Sequence, residues 1–292
     1  MGGAVMKKNR LMIGSQERRL LQMALLEDGS FRDVTTLATV PASLRVRGCF
    51  IARPSGVLSG LPVVSEILRL LDPRVRLKSR VMEGASFHSG AVVAEVFGPA
   101  RAILSGERVA LNLLSHLSGI AVLTKAFVKA AGRSCIYDTR KTTPLWRSFE
   151  RYAVRCGGGC NHRLNLSSQV LVKDNHRAVD GVYAAVRASR IKWGRKAFIE
   201  AEVESEIETR EALKAGADAL LFDNRTPKEL SKLLLLTKGT SVVTEASGGI
   251  TLSNVRSYAA TGVDRISVGA LTHSAMPVDF SLELEGLPKG NG

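Results

Sequence analysis

Beyond Arg133 the chain repeats one step, and that step is the strongest constraint on its fold. Short β-branched or apolar runs occupy Cys135–Tyr137, Val170–Val172, Phe198–Val203, Ala219–Phe222, Ser241–Thr244 and Arg265–Val268, and their starts lie 35, 28, 21, 22 and 24 residues apart. A parallel strand needs a crossover of a dozen residues or more to reach its neighbour, so the spacing predicts strand–helix units rather than hairpins. The punctuation between runs agrees. Ser205 with Glu208, and Thr226 with Glu229 around Pro227, have the spacing of helix capping boxes. Gly216 and Gly262 stand where helix C-terminal caps belong. Ala215–Leu220 (AGADAL) and Thr261–Ile266 (TGVDRI) are alike and 46 residues apart, a repetition of two units that suits an α/β barrel.

The first half reads differently. From Arg45 to Phe97 the pattern is antiparallel: Arg74–Val81 alternates, with Val75, Leu77 and Val81 on one face and Arg74, Arg76, Lys78 and Arg80 on the other. Gly56 and Gly60 mark turns, Pro62–Leu71 reads as a short helix, and Ala100–Ala131 as a long, mostly apolar one. A two-domain chain of mixed α+β and α/β class is expected, with a first domain over residues 1–125, a barrel over 126–279, and 280–292 returning to the first. At 292 residues, 45% apolar and 23% charged, it is long enough to bury a full core without disulfides. The longest uncharged run, Val109–Thr124, is too short to cross a bilayer, and Met1–Arg10 carries Lys7 and Lys8 without the apolar stretch of a secretory signal. Cys49, Cys135, Cys156 and Cys160 form no paired C-x2-C framework, so a soluble protein of the reducing cytoplasm is expected. Cys156 and Cys160 lack the two further ligands a metal site would need.

Charge is the outlier. The 41 Lys and Arg against 27 Asp and Glu leave +14, which favours an anionic partner: nucleic acid, acidic lipid or a phosphorylated small molecule. With aromatics at 5% and no RNA-recognition motif or zinc finger, nucleic acid is the lesser reading. The segments just past the runs decide the matter further. They are Asp138-Thr139-Arg140-Lys141, Lys173-Asp174-Asn175-His176, Glu202 with Glu204, Asp223-Asn224, Glu245-Ala246-Ser247-Gly248-Gly249, and Gly269-Ala270-Leu271-Thr272-His273. In a parallel barrel these ends meet on one face, where active sites are built. Polar loops alone would explain scattered charge, but less readily a Lys, two Glu and an Asp at the strand ends. Arg140, Lys141, Arg163 and Lys173 suit carboxylates or phosphates. Glu202, Glu204 and Asp223 are anionic, and two strand-end carboxylates suit magnesium, whose shell phosphate and water complete. Ser247-Gly248-Gly249 and Gly269-Ala270 would let backbone amides approach a phosphate, aided by the dipole of the next helix. Gly157-Gly158-Gly159 reads as a linker or as a close approach to ligand, and His162 as a packing histidine or, beside Arg163, a catalytic one.

Several of these segments together resemble one family. Asp138–Pro144 (DTRKTTP), Tyr152–Arg163 (YAVRCGGGCNHR), Leu171–His176 (LVKDNH), Leu221–Asn224 (LFDN), Glu245–Ile250 (EASGGI) and Ser267–Ser274 (SVGALTHS) are similar to nicotinate-nucleotide pyrophosphorylase (carboxylating), the quinolinate phosphoribosyltransferase family. Glu27-Asp28, Asp33–Thr36, Gly56–Gly60 and Ser105–Asn112 (SGERVALN) match upstream, so the similarity runs from about Glu27 to Leu282. The resemblance implies an N-terminal α/β sandwich plus an open, seven-stranded α/β barrel, of which the runs above locate six strands. It implies a pentosyltransferase (glycosyltransferase) of NAD biosynthesis, which joins quinolinate to phosphoribosyl pyrophosphate with magnesium and gives nicotinate mononucleotide, pyrophosphate and carbon dioxide. A homodimer is also implied. Carried over by motif, Thr139, Arg140, Lys141, His162 and Arg163 would line the quinolinate pocket, and Arg108 would reach the neighbouring subunit's site. Lys141, Lys173, Glu202 and Asp223 would be the catalytic group, with magnesium near Glu202 and Asp223. Ser247, Gly248, Gly249, Val268, Gly269, Ala270 and His273 would hold the 5′-phosphate.

The sequence departs from the family at Leu145-Trp146, where glycine usually comes after the DTRKTTP proline. A paralogue associated with molybdenum transport shares the scaffold but typically lacks the Lys173 match and the Asn161-His162-Arg163 pattern, so both features speak against it. Lys173 as a Schiff-base former would be the aldolase reading.

Overall fold

The structure is a computed structural model and describes residues 11–285. Its strands, in chain order, are β1 (Arg45–Ala52), β2 (Gly56–Val57), β3 (Arg76–Ser79), β4 (Ser86–Phe87), β5 (Val92–Pro99), β6 (Cys135–Tyr137), β7 (Val170–Val172), β8 (Ile199–Val203), β9 (Ala219–Asp223), β10 (Val243–Ser247), β11 (Arg265–Ser267) and β12 (Phe280–Glu285). They fall into two compact units. One comprises the chain up to Lys125, Thr143–Gly158 and the segment from Ser274 on; the other comprises Ala126–Thr142 and Gly159–His273.

In the first unit an antiparallel sheet runs in the order β12-β1-β5-β3. Alternation along β1 buries Val46, Phe50 and Ala52 on one face. The helix Leu61–Leu71 presents Leu61, Val63, Val64, Ile67 and Leu68 to the core, each buried aliphatic side chain contributing about 1.5–3 kcal/mol. Its first turn holds Pro62, and the Glu83 carboxylate accepts the Gly60 and Leu61 N–H groups at 2.9 Å, a cap supplied from outside the helix. The helix Ala100–Ala131 is long and apolar enough to cross a membrane by length and composition, but half of its most apolar window is buried, including Leu114 and Ile120. β12 pairs antiparallel with β1, from Arg47 opposite Glu285 to Ala52 opposite Phe280. Residues 286–292, and the basic start of the chain at Met1–Asn9, lie outside the described residues.

Residues 143–158, which the sequence reading places in the barrel domain, cluster instead with the first unit. The helix Arg147–Cys156 buries Phe149, Glu150, Tyr152, Ala153, Val154 and Cys156 there. This also resolves the glycine triplet. A Cβ at Gly157 would lie 2.5 Å from the Ala121 carbonyl oxygen and from Thr124 Cβ, and Gly158 has φ +90°. The glycines permit a tight helix-to-helix contact and a left-handed exit; Gly157 approaches backbone, not a ligand.

The second unit is a parallel sheet ordered β6-β11-β10-β9-β8-β7. The six runs of the sequence are its six strands, β10 extending to Ser247 rather than stopping at Thr244. Among the described residues this sheet has six strands, one fewer than the resemblance implies, and an isolated parallel bridge joins Tyr137 to Cys160. Helices Asp174–Trp193, Glu206–Ala215, Pro227–Leu234 and Val255–Ala259 make the crossovers. Thr226 and Glu229 form a complete capping box. Ser205 caps Glu208 N–H at 3.2 Å, whereas the Glu208 carboxylate returns to Glu204 N–H at 2.7 Å. Period-two alternation puts Glu200 with Glu202, Glu245 with Ser247, and Arg265 with Ser267 on common faces of their strands.

Candidate active site

The strand ends of the second unit surround a cavity of about 620 Å³. Fourteen of the sixteen site residues named from the sequence line it: Thr139, Arg140, Lys141, His162, Arg163, Lys173, Asp223, Ser247, Gly248, Gly249, Val268, Gly269, Ala270 and His273. The segment after β6 is fixed locally. Lys141 N–H donates to Thr139 Oγ1 at 3.0 Å, and the Thr272 hydroxyl donates to the Lys141 carbonyl at 2.7 Å. Asp138, fully buried, accepts Asn161 Nδ2 at 2.6 Å and His162 N–H at 2.7 Å, so one carboxylate joins the end of β6 to the Asn161-His162-Arg163 segment.

Arg163 is 9% exposed and sits beside Arg140. Burial and the Arg140 charge both lower its pKa, against Glu200, which raises it. Arg140 is exposed and Arg163 buried, and the two like charges border the same cavity, an arrangement that suits an anionic ligand. On the opposite side, Gly248 and Gly249 take φ of +89° and +62°. A Cβ on Gly248 would lie 2.1 Å from Asn224 Oδ1, so only glycine fits between β10 and the end of β9. Both glycines line the cavity, and without side chains they leave its wall open to close approach by an anion. The next helices in the chain, Val255–Ala259 and Ala270–His273, have only five and four residues. The helix-dipole contribution expected from the sequence is therefore small.

The acidic residues divide. Asp223 lines the cavity and accepts Asn224 Nδ2 at 2.7 Å. Glu202 lies just outside the lining, buried, accepting Asp174 N–H at 3.1 Å with Lys173 Nζ at 3.8 Å. Burial raises its pKa, Lys173 opposes that, and Asp223 adds to it. Glu204 does not join them: it pairs with Arg177 at 2.6 Å and reaches Arg225 at 4.0 Å, away from the cavity. Arg108 is exposed on the helix Ala100–Ala131 of the first unit and is not among the lining residues.

Two residues that the sequence reading gave no role stand at and beneath the floor. Glu200 and Glu245, both without exposure, flank His162 Nε2 at 3.1 and 3.4 Å. The Ser267 hydroxyl donates to Glu245 Oε1 at 2.5 Å, and the Arg265 guanidinium lies 4.0 Å from Glu245 Oε2. Burial and the neighbouring Glu245 raise the pKa of Glu200. Burial opposes ionisation of Glu245 as well, but hydrogen bonding to His162 and Ser267 makes it the ionised member. For His162, burial lowers the pKa and hydrogen bonds to both glutamates raise it, to about 10. Nδ1, however, accepts Arg163 N–H at 2.8 Å, which is incompatible with a second ring proton, so the geometry supports the tautomer protonated on Nε2. His162 is thus satisfied on both ring nitrogens. The signal that would have exposed the pair is the Glu-Ala-Glu alternation of β8 and the Glu-Ala-Ser of β10, which puts a carboxyl one layer below each rim residue. Among the described residues, His162, Glu200 and Glu245 also form the one group whose ligand atoms lie within 4.8 Å of each other.

Comparison with known proteins agrees with this geometry. Residues 33–118 match the family model "Quinolinate phosphoribosyl transferase, N-terminal domain" and residues 120–283 match "Quinolinate phosphoribosyl transferase, C-terminal domain". The chain is 41% identical over 272 residues to a probable nicotinate-nucleotide pyrophosphorylase [carboxylating] of Bacillus subtilis, covering 92% of this chain and 93% of that one. It is 40% identical to the nicotinate-nucleotide pyrophosphorylase [carboxylating] of Mycobacterium leprae, with 91% and 96% covered. The crystal structure of NadC from Streptococcus pyogenes superposes with a TM-score of 0.88 at 39% identity, covering 92% of this chain and 96% of that one. With both domain models matched in order across the same strand ends that build the cavity, the chain belongs to the quinolinate phosphoribosyltransferase family.

Proposed function

We propose that this protein transfers the phosphoribosyl group of phosphoribosyl pyrophosphate to quinolinate and releases carbon dioxide and pyrophosphate, forming nicotinate mononucleotide in NAD biosynthesis. The observation that carries the reading is that the like charges Arg140 and Arg163 line the same cavity as the positive-φ glycines Gly248 and Gly249. A pyridine dicarboxylate satisfies the first, a 5′-phosphate the second. Lys141 and Lys173 add charge where pyrophosphate and carboxylate meet. Bound in this way, the ring nitrogen is aimed at the anomeric carbon, and pyrophosphate departs through a transition state with oxocarbenium character. Positioning and electrostatics supply most of the acceleration. The quaternised nitrogen then accepts the electron pair of the breaking C–C bond, carbon dioxide leaves, and the ring carbon takes up a proton. No covalent nucleophile is needed, and Lys173, set against Glu202, serves as a cation.

Glu202 and Asp223 fit magnesium arriving with pyrophosphate. They are two carboxyls close enough for the charge of one to raise the pKa of the other, and magnesium usually takes one or two protein carboxylates. Held there with the cosubstrate, magnesium would supply charge neutralisation for the leaving group. Arg108, exposed and outside the cavity, suits donation to the site of a second copy in a homodimer. The expected setting is the cytoplasm, where both substrates are soluble anions. Neither the molybdenum-transport paralogue nor a nucleic-acid-binding protein is favoured by the matched relatives.

The test is release of labelled carbon dioxide from carboxyl-labelled quinolinate. Release only when phosphoribosyl pyrophosphate and magnesium are both present is expected, and no release under those conditions refutes the reading. In the same assay, mixed and re-equilibrated Arg108→Ala and Lys173→Ala proteins should regain part of the activity each has lost. A mixture as inactive as its parents refutes the shared site.

A further inference from the structure

Glu200 has connections that the substrate-facing residues do not explain. It lies below the cavity and is not part of its lining. Besides taking His162 Nε2 at 3.1 Å, its Oε2 accepts Gln169 Nε2 at 3.0 Å. The main-chain carbonyl of that same Gln169 accepts Arg163 Nη1 at 3.2 Å, and His162 Nδ1 accepts the Arg163 backbone N–H at 2.8 Å. Arg163 is therefore held at both ends, its main chain through His162 and its guanidinium through Gln169, and both ties lead to one carboxyl.

We infer that Glu200 is the positioning residue for Arg163, setting the angle at which the guanidinium meets a carboxylate of the diacid without touching the substrate itself. This rests on the reading of Arg163 as a carboxylate-binding residue. A planar five-donor fork gives up bidentate contact when it rotates by a few tens of degrees, so its orientation matters as much as its charge. Glu200 has no exposed surface, and a buried carboxyl is kept at a cost unless it is bonded. Here its Oε2 accepts both ties, while Oε1 has no hydrogen-bond partner. Glu245 faces the same imidazole but also lines the cavity, so it grips the ring without a link to Gln169. A metal ion held by His162, Glu200 and Glu245 is the competing account of the cluster. It would have to displace the Nε2 proton that now joins all three.

The experiment uses the full chain and two variants: Glu200→Gln, which keeps the volume and alters both ties, and Gln169→Leu, which cuts the side-chain tie to Glu200 at a half-buried position and leaves the main-chain carbonyl. Binding of phthalate, a diacid that is not turned over, is measured by calorimetry alongside both Michaelis constants. Each variant should weaken phthalate and raise the quinolinate KM by about tenfold, with kcat and the phosphoribosyl pyrophosphate KM within about twofold of the parent. Repeated in an Arg163→Ala background, the same substitutions should leave phthalate affinity unchanged, since a positioning residue has nothing left to position. Equal losses in both backgrounds overturn the inference. So does a parallel rise in both KM values, or a stoichiometric divalent metal that the parent carries and Glu200→Gln lacks. Should Glu200→Gln not fold, Gln169→Leu decides alone. Turnover by the parent tests the functional reading separately, so additive losses in an active enzyme refute only the positioning role.

Discussion

Thr143, Pro144, Leu145 and Trp146 form a turn closed by Trp146 N–H to the Thr143 carbonyl at 3.1 Å, and Leu145 has φ +70°. Proline second and positive φ third is the pattern of a type II turn, whose third position favours glycine. Leucine in that region costs about 1–2 kcal/mol because its Cβ crowds the following carbonyl. Glycine removes the clash but gives back about 0.4–1 kcal/mol through a freer unfolded chain. Leu145 is 70% exposed, so little buried area is lost with it. Leu145→Gly should therefore stabilise the protein by about 0.5–1 kcal/mol, which raises Tm by about 1–4 °C in a chain of this size. This is also the position where the family usually carries glycine. The assay is thermal unfolding by circular dichroism at fixed protein concentration, with Leu145→Ile as the control, since a β-branched residue tolerates positive φ least. Expected melting temperatures rise in the order Ile, Leu, Gly. A glycine variant that melts at or below the parent, with the isoleucine variant unchanged, refutes the assignment of strain to this turn.

Gly248→Ala should lower kcat/KM for phosphoribosyl pyrophosphate by about 10²-fold, the scale of losing one preorganised backbone donor, because the added Cβ meets Asn224 Oδ1 at 2.1 Å and displaces the segment; near-parental kinetics would remove the phosphate role of that segment. Asp33 accepts Thr36 N–H at 3.0 Å as the N-cap of the helix Val34–Thr39 and the Ser105 hydroxyl at 3.1 Å. Those hydrogen bonds hold its carboxyl below the ordinary range. Asp33→Ala should cost about 1 kcal/mol at neutral pH. Because the folded-state pKa is depressed, that contribution is present above the unfolded value and disappears as pH falls through the folded one. Denaturant melts at pH 7 and below pH 3 should show the gap between parent and variant closing; a gap that persists in acid would mean the stabilisation is not ionic.

How much was legible before the structure depends on whether the information was local. The strand–helix period, the capping boxes and the glycine C-cap at Gly216 are written over a few residues each, and the described fold contains the six strands they predict. The cavity lining was legible for a related reason. In a parallel sheet every strand end faces the same way, so the residues just past each strand make up the rim. Failures came where a neighbour in sequence is not a neighbour in space. Glu204 stands two residues past Glu202 yet lies beyond the end of β8, where Arg177 and Arg225 claim it. The helices after β10 and β11 proved too short to supply a dipole, a matter of where packing stops a helix rather than of its propensity.

By itself, then, the chain's order of residues determined the strand–helix rhythm, the chemistry set at the end of each strand, and the family. The tertiary structure alone decided that 143–158 leaves the barrel unit for the first one, that Gly157 serves a helix contact, and that Glu200, outside the cavity lining, meets His162 and Glu245, which belong to it. The reason is physical. Backbone hydrogen bonding and side-chain alternation act over a few residues and leave a readable period. Convergence of distant side chains is set by the order and register of strands in the sheet, which no short stretch of sequence contains.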